Sequence, residues 1–207
     1  MRVHVFDYGA GNLHSLVKAL EGADCEVRVT TDPTAAVDGA DALILPGVGA
    51  FAPAAERLAA GRGAMRTAIA AGLPTLGICL GMQLMFDASD EGSGDGLGVF
   101  AGRVTRIAAD RLPQIGWNTL DERRDALFAA SGLDVAYYAN SFACRPDDAT
   151  RVIAWSTHGS DRFPAAVRNG RCVGVQFHPE KSSAPGRRFV EAFLEEARAS
   201  VSRTVLR

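Results

Sequence analysis

The segment Gly77-Ile78-Cys79-Leu80-Gly81 connects an apolar run, Leu73-Pro74-Thr75-Leu76, to a helix-like run that extends to Phe86. A glycine two places on each side of a cysteine is typical of a sharp strand-to-helix turn, because the backbone there passes too close to itself for a Cβ atom. Such a turn holds its central side chain at the carboxyl edge of a sheet. We therefore expect Cys79 at a helix N-terminus, where the positive end of the helix dipole favours thiolate over thiol.

A second segment, His178-Pro179-Glu180, lies far downstream of Cys79 and supplies a base and a carboxylate. Pro179 keeps His178 out of helical dihedrals, so His178 and Glu180 are expected on extended backbone, where residues two apart share a face. Each residue alone also fits an ordinary role: Cys79 in the core, His178 at a strand end and Glu180 in a solvated loop. Together they predict a catalytic triad in which Cys79 attacks, His178 transfers the proton and Glu180 orients the imidazole.

Size, charge and cysteine content limit the classes of function. The 207 residues are expected to form one domain, 1–207, because α/β folds commonly reach this length as a single unit. Lysine and arginine number 22 against 24 acidic residues, which argues against nucleic acid as a partner. The 4 cysteines show neither a metal-binding spacing nor a disulfide framework, so we expect no metal and a reducing compartment.

The N-terminal segment and the hydropathy pattern bear on location. The acid at Asp7 comes too early for a signal peptide, and no apolar run approaches the ~20 residues that span a bilayer. We therefore expect a cytoplasmic protein that does not contact a membrane.

Alternating strand and helix patterns in the first half predict a doubly wound α/β fold. Apolar runs and alternation indicate strands at 3–6, 27–29, 42–45 and 73–76. Helical spacing indicates helices at 13–20, 53–60 and 65–71, and Asp32-Pro33 is a helix-start signal. Successive units of this length predict a parallel sheet with helices on both faces, whose ligands bind beyond the carboxyl ends of the strands.

The second half contains closely spaced short strands and a closing helix. Strand-like segments occupy 103–107, 135–142, 152–156 and 165–168. Asn169-Gly170 is a strong hairpin signal, so 163–168 and 171–177 are expected to pair antiparallel. The second of these strands would carry His178 towards Cys79. Apolar spacing over 189–197 indicates a final amphipathic helix.

In its motifs the chain resembles the class I (triad) glutamine amidotransferases. Gly77-Ile78-Cys79-Leu80-Gly81-Met82-Gln83 and His178-Pro179-Glu180-Lys181-Ser182 match the family signature in the right order. Within that family the chain is similar to the glutaminase subunits of imidazole glycerol phosphate synthases. The segments that carry this closer similarity are Asp7-Tyr8-Gly9-Ala10-Gly11-Asn12-Leu13, Pro46-Gly47-Val48-Gly49-Ala50-Phe51 and Pro113-Gln114-Ile115-Gly116-Trp117-Asn118.

The resemblance implies a fold, an activity and a partner. The fold would be flavodoxin-like, with a central, mostly parallel sheet, helices on both faces and an antiparallel C-terminal extension. The activity would be hydrolysis of L-glutamine to glutamate and ammonia through a Cys79 thioester, with no cofactor. The ammonia would pass to a (β/α)8-barrel cyclase subunit, the chain's partner in a heterodimer that forms imidazole glycerol phosphate in histidine biosynthesis.

The resemblance also implies roles for further residues. The N–H groups of Val48 and Leu80 would form the oxyanion hole that a tetrahedral intermediate needs. Substrate binding would involve Gly47, Gly49, Gln83, Glu91 and Ser141, and the partner interface would involve Asn12, Ile115, Trp117, Tyr138 and Lys181. By composition alone, 46–49 also fits an ordinary turn, Gln83 a solvated helical position, Glu91 a loop acid, and Trp117 and Tyr138 the core.

One position departs from the family pattern, and three other functions compete with the preferred one. Where the family usually has histidine, this chain has Asn140, which keeps a short polar side chain but cannot titrate. The competing functions are a class I glutaminase that feeds a different synthase, a cysteine hydrolase of esters or peptides, and a paralogue that only binds partners. The motifs at 7–12 and 113–118 argue against the first, Gln83 and 46–49 against the second, and the intact triad residues against the third.

Overall fold

The structure, a computed structural model, describes residues 1–9 and 13–205, with side chains described up to residue 200. Its strands are β1 (Arg2–Phe6), β2 (Glu26–Thr30), β3 (Ala42–Leu45), β4 (Thr75–Ile78), β5 (Ala88–Ser89), β6 (Gly102–Arg106), β7 (Gln114–Thr119), β8 (Val135–Asn140), β9 (Phe142–Pro146), β10 (Val152–His158), β11 (Asp161–Asn169) and β12 (Cys172–Val175). Its helices are α1 (His14–Glu21), α2 (Phe51–Ala59), α3 (Arg62–Ala70), α4 (Leu80–Leu84), α5 (Ala126–Ser131) and α6 (Ser183–Val205), and short 3-10 turns occupy Ala149–Arg151 and Pro179–Lys181.

A central sheet in the order β10-β11-β12-β4-β3-β1-β2 organises the molecule. The strands from β12 to β2 run parallel, whereas β10 and β11 extend the sheet antiparallel from β12. The predicted fold class, a mostly parallel sheet with an antiparallel C-terminal extension, is therefore confirmed.

Strand β3 shows how the helices cover both faces of this sheet. Its residue Ile44 packs in one hydrophobic cluster with Phe189 of α6. Its neighbours Leu43 and Leu45 point to the other face, where they share a cluster with Leu58 of α2. Because successive side chains of a strand alternate between faces, a fully apolar strand needs a helical layer on each side.

The Asn169-Gly170 turn brings the end of the chain back to the strand that carries Cys79. Gly170 has a φ of 57°, as the tight hairpin between β11 and β12 requires. Strand β12 then pairs in parallel with β4, and Val175 lies opposite Ile78. Residues that follow these two strands therefore meet at one edge of the sheet, although they are distant in sequence.

Two parts of the structure differ from the sequence-based expectation. Residues 33–39 form turns, not the helix that Asp32-Pro33 predicts, and the Asp32 carboxylate accepts the N–H groups of Thr34 and Ala35. The prediction of a helix start is therefore wrong: the Asp32 carboxylate closes a turn, and Gly39, with a φ of 69°, leaves helical dihedrals before β3 begins. In addition, the expected strand 135–142 is divided between β8 and β9, which belong to different small sheets.

These small sheets lie outside the central one. Strands β5, β6 and β9 form one of them, and β7 pairs antiparallel with β8 to form the other.

Among the described residues, no helix is both long and apolar enough to cross a membrane.

Candidate active site

Cys79 is the single residue between β4 and α4, and its backbone is strained. Its φ of 49° lies in the left-handed region that a residue with a side chain rarely adopts. A Cβ on Gly77 would lie 2.7 Å from the backbone of Gly81, and a Cβ on Gly81 would lie 2.0 Å from the carbonyl oxygen of Leu45. The predicted strand-to-helix turn with two obligatory glycines is therefore confirmed.

Strand β12 delivers His178 and Glu180 to the same edge of the sheet. The Cys79 N–H donates to the Val175 carbonyl at 2.7 Å, which ties the turn to the end of β12. His178 is fully buried, and its Nδ1 lies 2.8 Å from Oε1 of Glu180. The expectation of extended backbone holds for His178 but is wrong for Glu180, which lies in the 3-10 turn Pro179–Lys181. This tight turn still brings the carboxylate back to the imidazole.

Burial and charge act in opposite directions on His178. Burial disfavours the charged imidazole, but the Cys79 thiolate and the Glu180 carboxylate outweigh it and raise the pKa of His178 to about 10. The buried Nε2 atom of His178 has no hydrogen-bond partner among the described residues. The imidazolium can therefore hold a proton at Nε2, free to be given to a substrate, while Nδ1–H donates to Glu180.

A cavity of about 290 Å³ opens beside Cys79. It is lined by Gly47, Val48, Gly49, Cys79, Leu80, Gln83, Glu91, Arg106, Pro113, Ala139, Asn140, Ser141 and Phe142. All the residues assigned to the oxyanion hole and to substrate binding are thus brought together around one small polar space. A larger cavity, of about 460 Å³, lies near the amino ends of β4 and β12 and contains none of these residues.

The loop after β3 forms the wall of the cavity next to the triad. Gly49 has a φ of 131°, which favours glycine. A Cβ on Gly47 would lie 3.1 Å from Cε1 of His178, so a side chain there would press on the imidazole. Leu80 is the first residue of α4, and its N–H has no acceptor within the helix. Val48 and Leu80 both line the cavity next to Cys79, where backbone amides could bind an oxyanion.

Glu91 and Gln83 are held by hydrogen bonds to the protein. Oε2 of Glu91 accepts the N–H of Phe51 at 3.1 Å, at the start of α2. Nε2 of Gln83 donates to the Phe142 carbonyl at 3.2 Å and to Oε1 of Gln176 at 3.3 Å. Because both amide hydrogens of Gln83 are used, only its carbonyl oxygen remains to contact a ligand.

Two residues at the site have no assigned role in the sequence reasoning. Gln176 donates from Nε2 to Sγ of Cys79 at 3.4 Å. Arg106 lines the cavity with the oppositely charged Glu91. Gln176 could have been found from its position, because it follows β12 by one residue just as Cys79 follows the neighbouring parallel strand β4 by one residue. No sequence signal points to Arg106, since only the pairing of β6 with β9 brings it to the cavity.

Asn140, the position that departs from the family pattern, is buried in the cavity wall. Its Nδ2 donates to the Phe142 carbonyl at 3.0 Å, whereas its Oδ1 has no partner in the part of the chain that the structure describes. The carbonyl of Phe142 thus orients two amide side chains, Asn140 and Gln83.

The residues assigned to a partner interface divide into three groups. Ile115 and Trp117 are 68% and 55% exposed, and Lys181 is also exposed, as an interface requires. The prediction that Tyr138 is an exposed interface residue is wrong, because its side chain is fully buried and its hydroxyl is hydrogen-bonded to Oγ of Ser156 at 2.5 Å. Asn12 lies outside the described residues.

The neighbouring Tyr137 occupies the face that was expected for Tyr138. Its ring packs edge-on against Trp117, with centroids 6.2 Å apart, and Nζ of Lys181 lies 5.9 Å from its centroid. Since strand residues alternate between faces, the one-residue difference moves Tyr138 to the core. We refer to Ile115, Trp117, Tyr137 and Lys181 as the β7–β8 face.

Within the described part of the chain, no group of histidine, cysteine and acidic residues could hold a metal ion.

Known proteins resemble this chain in sequence over most of its length. Residues 4–197 match the family model for class-I glutamine amidotransferases. The chain is 46% identical to the imidazole glycerol phosphate synthase subunit HisH of Symbiobacterium thermophilum, covering 91% of each chain. It is 40% identical to the subunit of the same name from Trichodesmium erythraeum, covering 94% of each chain.

Solved structures support the fold. A crystal structure of a glutamine amidotransferase matches with a TM-score of 0.74 at 23% identity, covering 94% of this chain and 98% of the other. The PurLQS structure from Thermotoga maritima matches with a TM-score of 0.74 at 21% identity and the same coverage.

Proposed function

The chain belongs to the class I glutamine amidotransferases, and from this premise we propose that it is the glutaminase subunit of an imidazole glycerol phosphate synthase. It would hydrolyse L-glutamine and supply ammonia to a cyclase subunit, acting as one domain over residues 1–207. The observation that carries the chemistry is that His178 contacts Glu180 and interacts with Cys79, which lines a cavity of about 290 Å³. The choice of synthase rests on the relatives, which are named as subunits of imidazole glycerol phosphate synthase.

The first half of the reaction is acyl transfer to sulfur. The Cys79 thiolate attacks Cδ of the glutamine side chain, a C–S bond forms, and the electrons of the carbonyl π bond move to oxygen. The N–H groups of Val48 and Leu80 would bind this oxyanion. When it collapses, the Cδ–N bond breaks, and the nitrogen takes the Nε2 proton of His178 and leaves as ammonia.

The second half returns the enzyme to its starting state. Neutral His178 takes a proton from water, and the water oxygen attacks the thioester carbonyl. The C–S bond then breaks, glutamate leaves, and the thiolate and imidazolium pair is restored. Glu180 would keep Nδ1 protonated and the ring oriented throughout, through its contact of 2.8 Å.

The charges in the cavity fit an amino acid with a side-chain amide. The carboxylate of Glu91 would attract the α-ammonium group of glutamine. Gln83 would act only as an acceptor, because Phe142 and Gln176 use both of its amide hydrogens. Ser141, Gly47 and Gly49 complete the cavity wall around the substrate.

The β7–β8 face would contact the cyclase subunit, for which the family resemblance implies a (β/α)8 barrel. Trp117 and Tyr137 give this face paired aromatic rings beside Lys181, and large aromatic side chains are typical anchors of interfaces. The face lies next to the triad, since the His178 N–H donates to the Tyr137 carbonyl at 2.8 Å. Ammonia would therefore be released close to the docked partner.

The experiment that tests this proposal combines the purified chain with a barrel cyclase subunit and its nucleotide substrate. We expect glutamine to be hydrolysed and imidazole glycerol phosphate to form, with glutamate and product in equal amounts. Glutamate release without imidazole glycerol phosphate would instead indicate a glutaminase that serves a different synthase. No glutamate release under any condition would contradict the glutaminase itself.

A further inference from the structure

Gln176 is the fully buried residue that follows β12 and contacts the reactive sulfur. Its backbone N–H donates to the Ala165 carbonyl at 2.8 Å, which fixes its place at the edge of the sheet. Its side chain lies between Gln83 and Cys79, 3.3 Å from Nε2 of Gln83 and 3.4 Å from Sγ of Cys79.

The orientation of the Gln176 amide follows from its neighbours. The Phe142 carbonyl can only accept a hydrogen bond, so Gln83 must turn its NH₂ group towards it. That NH₂ group also faces Gln176, and the reversed Gln176 amide would set two donors against each other. Gln176 must therefore turn Oε1 to Gln83 and its own NH₂ group to the sulfur.

We propose that Gln176 is a further catalytic residue, which stabilises the Cys79 thiolate by donating a hydrogen bond to Sγ, and that Gln83 positions it. A donor favours the anion, which has only lone pairs to offer, over the thiol. Hydrogen bonds to charged groups are stronger than those between neutral groups. The Phe142 carbonyl thus orients the amide of Gln83, and Gln83 in turn orients the amide of Gln176 so that its NH₂ group faces the sulfur.

This inference rests on the proposed function, but its test needs no glutamine. Iodoacetamide alkylates a cysteine as the thiolate displaces iodide, so the rate at Cys79 measures how much reactive thiolate is present. The variant is Gln176→Met, which keeps the length of the side chain but has no donor. The rate is measured at about pH 7 and at about pH 10, with modification of Cys79 followed by peptide mass spectrometry.

We expect Gln176→Met to slow alkylation at about pH 7 by about tenfold, as loss of a hydrogen bond to a charged group implies. At about pH 10 its rate should return to within about twofold of the parent, because alkali then forms the thiolate without the donor. A residue that only packs against Cys79 would change the rate equally at both pH values, and that result would overturn the proposal. An unchanged rate at both pH values would overturn it as well.

A second variant keeps the test decisive if Gln176→Met does not fold, as judged by thermal unfolding. Gln83→Met leaves Gln176 in place but removes the donor that orients it, so alkylation at about pH 7 should slow by a smaller factor and again recover in alkali. Full reactivity of this variant at about pH 7 would exclude the positioning role. If the pattern holds while the parent protein releases no glutamate, the proposed function fails, and what stands is that Gln176 stabilises the Cys79 thiolate.

Discussion

At the scale of single residues, the thiolate of Cys79 and the imidazolium of His178 depend on each other. Burial alone would favour the neutral form of His178, and the charges of Cys79 and Glu180 reverse this preference. The pair therefore works as a unit, and its members are not expected to contribute independently to the rate.

The first prediction compares the two partners of Cys79. We expect His178→Asn to lower kcat for glutamine hydrolysis about as much as loss of the thiol, because no group then protonates the leaving nitrogen. Glu180→Gln should be at least roughly tenfold more active than His178→Asn, since the imidazole remains and loses only its orienting carboxylate. Steady-state assays of glutamate release in the complex measure kcat of both variants. If both variants kept near-parent kcat, the assignment of the catalytic triad would be contradicted.

A second prediction concerns two other buried cysteines, Cys144 and Cys172. Burial raises the pKa of Cys172 to about 11, and burial together with the nearby Cys79 charge raises the pKa of Cys144 well above its usual value. Both thiols should stay unmodified by iodoacetamide at about pH 7 under conditions that modify Cys79 completely. Peptide mass spectrometry after a short exposure checks this, and Cys79→Ser is the control. Faster labelling of Cys144 or Cys172 than of Cys79 would contradict the electrostatic account.

The sequence identifies Cys79, His178 and Glu180 because local signals mark them: paired glycines, and a proline that follows a histidine. It does not identify Gln176, which contacts Cys79 because β12 pairs with β4, or Arg106, which reaches the cavity because β6 pairs with β9. Tyr138 was misassigned for a related reason. The motif resemblance identifies the strand that contributes to the interface, but the alternation of side chains along the strand decides which of its residues are exposed.

At the scale of elements, the turn between β4 and α4 holds the nucleophile. It packs so closely on the end of β3 that a Cβ on Gly81 would lie 2.0 Å from the Leu45 carbonyl oxygen. Close packing of this kind stabilises the left-handed backbone of Cys79, which would otherwise cost about 1 to 3 kcal/mol.

The third prediction tests this packing. Gly81→Ala should lower the free energy of unfolding by about 3 kcal/mol or prevent folding, because backbone must move to admit the methyl group. Gly63→Ala is the matched control, since a Cβ there meets no described atom within 4 Å. As a helical position, Gly63 should tolerate alanine with unchanged or slightly higher stability, by up to about 1 kcal/mol. Denaturant unfolding measures both, and equal stability of the two variants would show that the turn is not closely packed.

Most elements of the central sheet follow from local sequence, since their apolar runs and the Asn169-Gly170 turn specify strands and a hairpin directly. The sheets formed by β5, β6 and β9 and by β7 and β8 do not, because their strands find their partners through tertiary contacts, although strands are expected at 103–107 and 135–142. Asp32-Pro33 carries a helix-start signal, but the Asp32 carboxylate binds the N–H groups of Thr34 and Ala35 in a series of turns that does not continue as a helix.

At the scale of the whole molecule, the β7–β8 face is linked to the triad by backbone. The His178 N–H donates to the Tyr137 carbonyl, and the Tyr137 N–H donates to Oγ of Ser182, which in turn donates to the His178 carbonyl at 2.7 Å. A partner docked on this face would therefore contact a strand that is bonded to the general base.

The fourth prediction is that the isolated chain is a weak glutaminase and that the cyclase subunit activates it. Gly47 and Gly49 allow the Val48 peptide to turn its N–H away from the oxyanion, and a missing donor costs about 100- to 1000-fold in rate. A partner that binds the competent orientation more tightly would shift the population towards it. Glutamine hydrolysis should rise by about tenfold or more with cyclase and nucleotide. Full activity of the isolated chain, unchanged by the partner, would exclude this switch but not the triad chemistry.

A matched pair of variants locates the docking surface. Trp117→Ala should weaken binding of the cyclase subunit by about tenfold or more, as expected for an aromatic anchor. Val29→Ala removes another exposed apolar side chain, which is 45% exposed on the distant edge strand β2, and should leave binding unchanged. Titration calorimetry measures both affinities, and a larger loss with Val29→Ala would place the interface elsewhere.

The central claim is that the Cys79 thiolate releases ammonia from glutamine for a synthase partner. Its most direct test is the rate of imidazole glycerol phosphate formation by the complex with Cys79→Ser, measured once with glutamine and once with an ammonium salt. We predict that the glutamine-dependent rate disappears while the ammonia-dependent rate and the affinity for the partner stay at the parent level, because only the attacking thiolate is lost. Near-normal synthesis from glutamine by Cys79→Ser would contradict the claim.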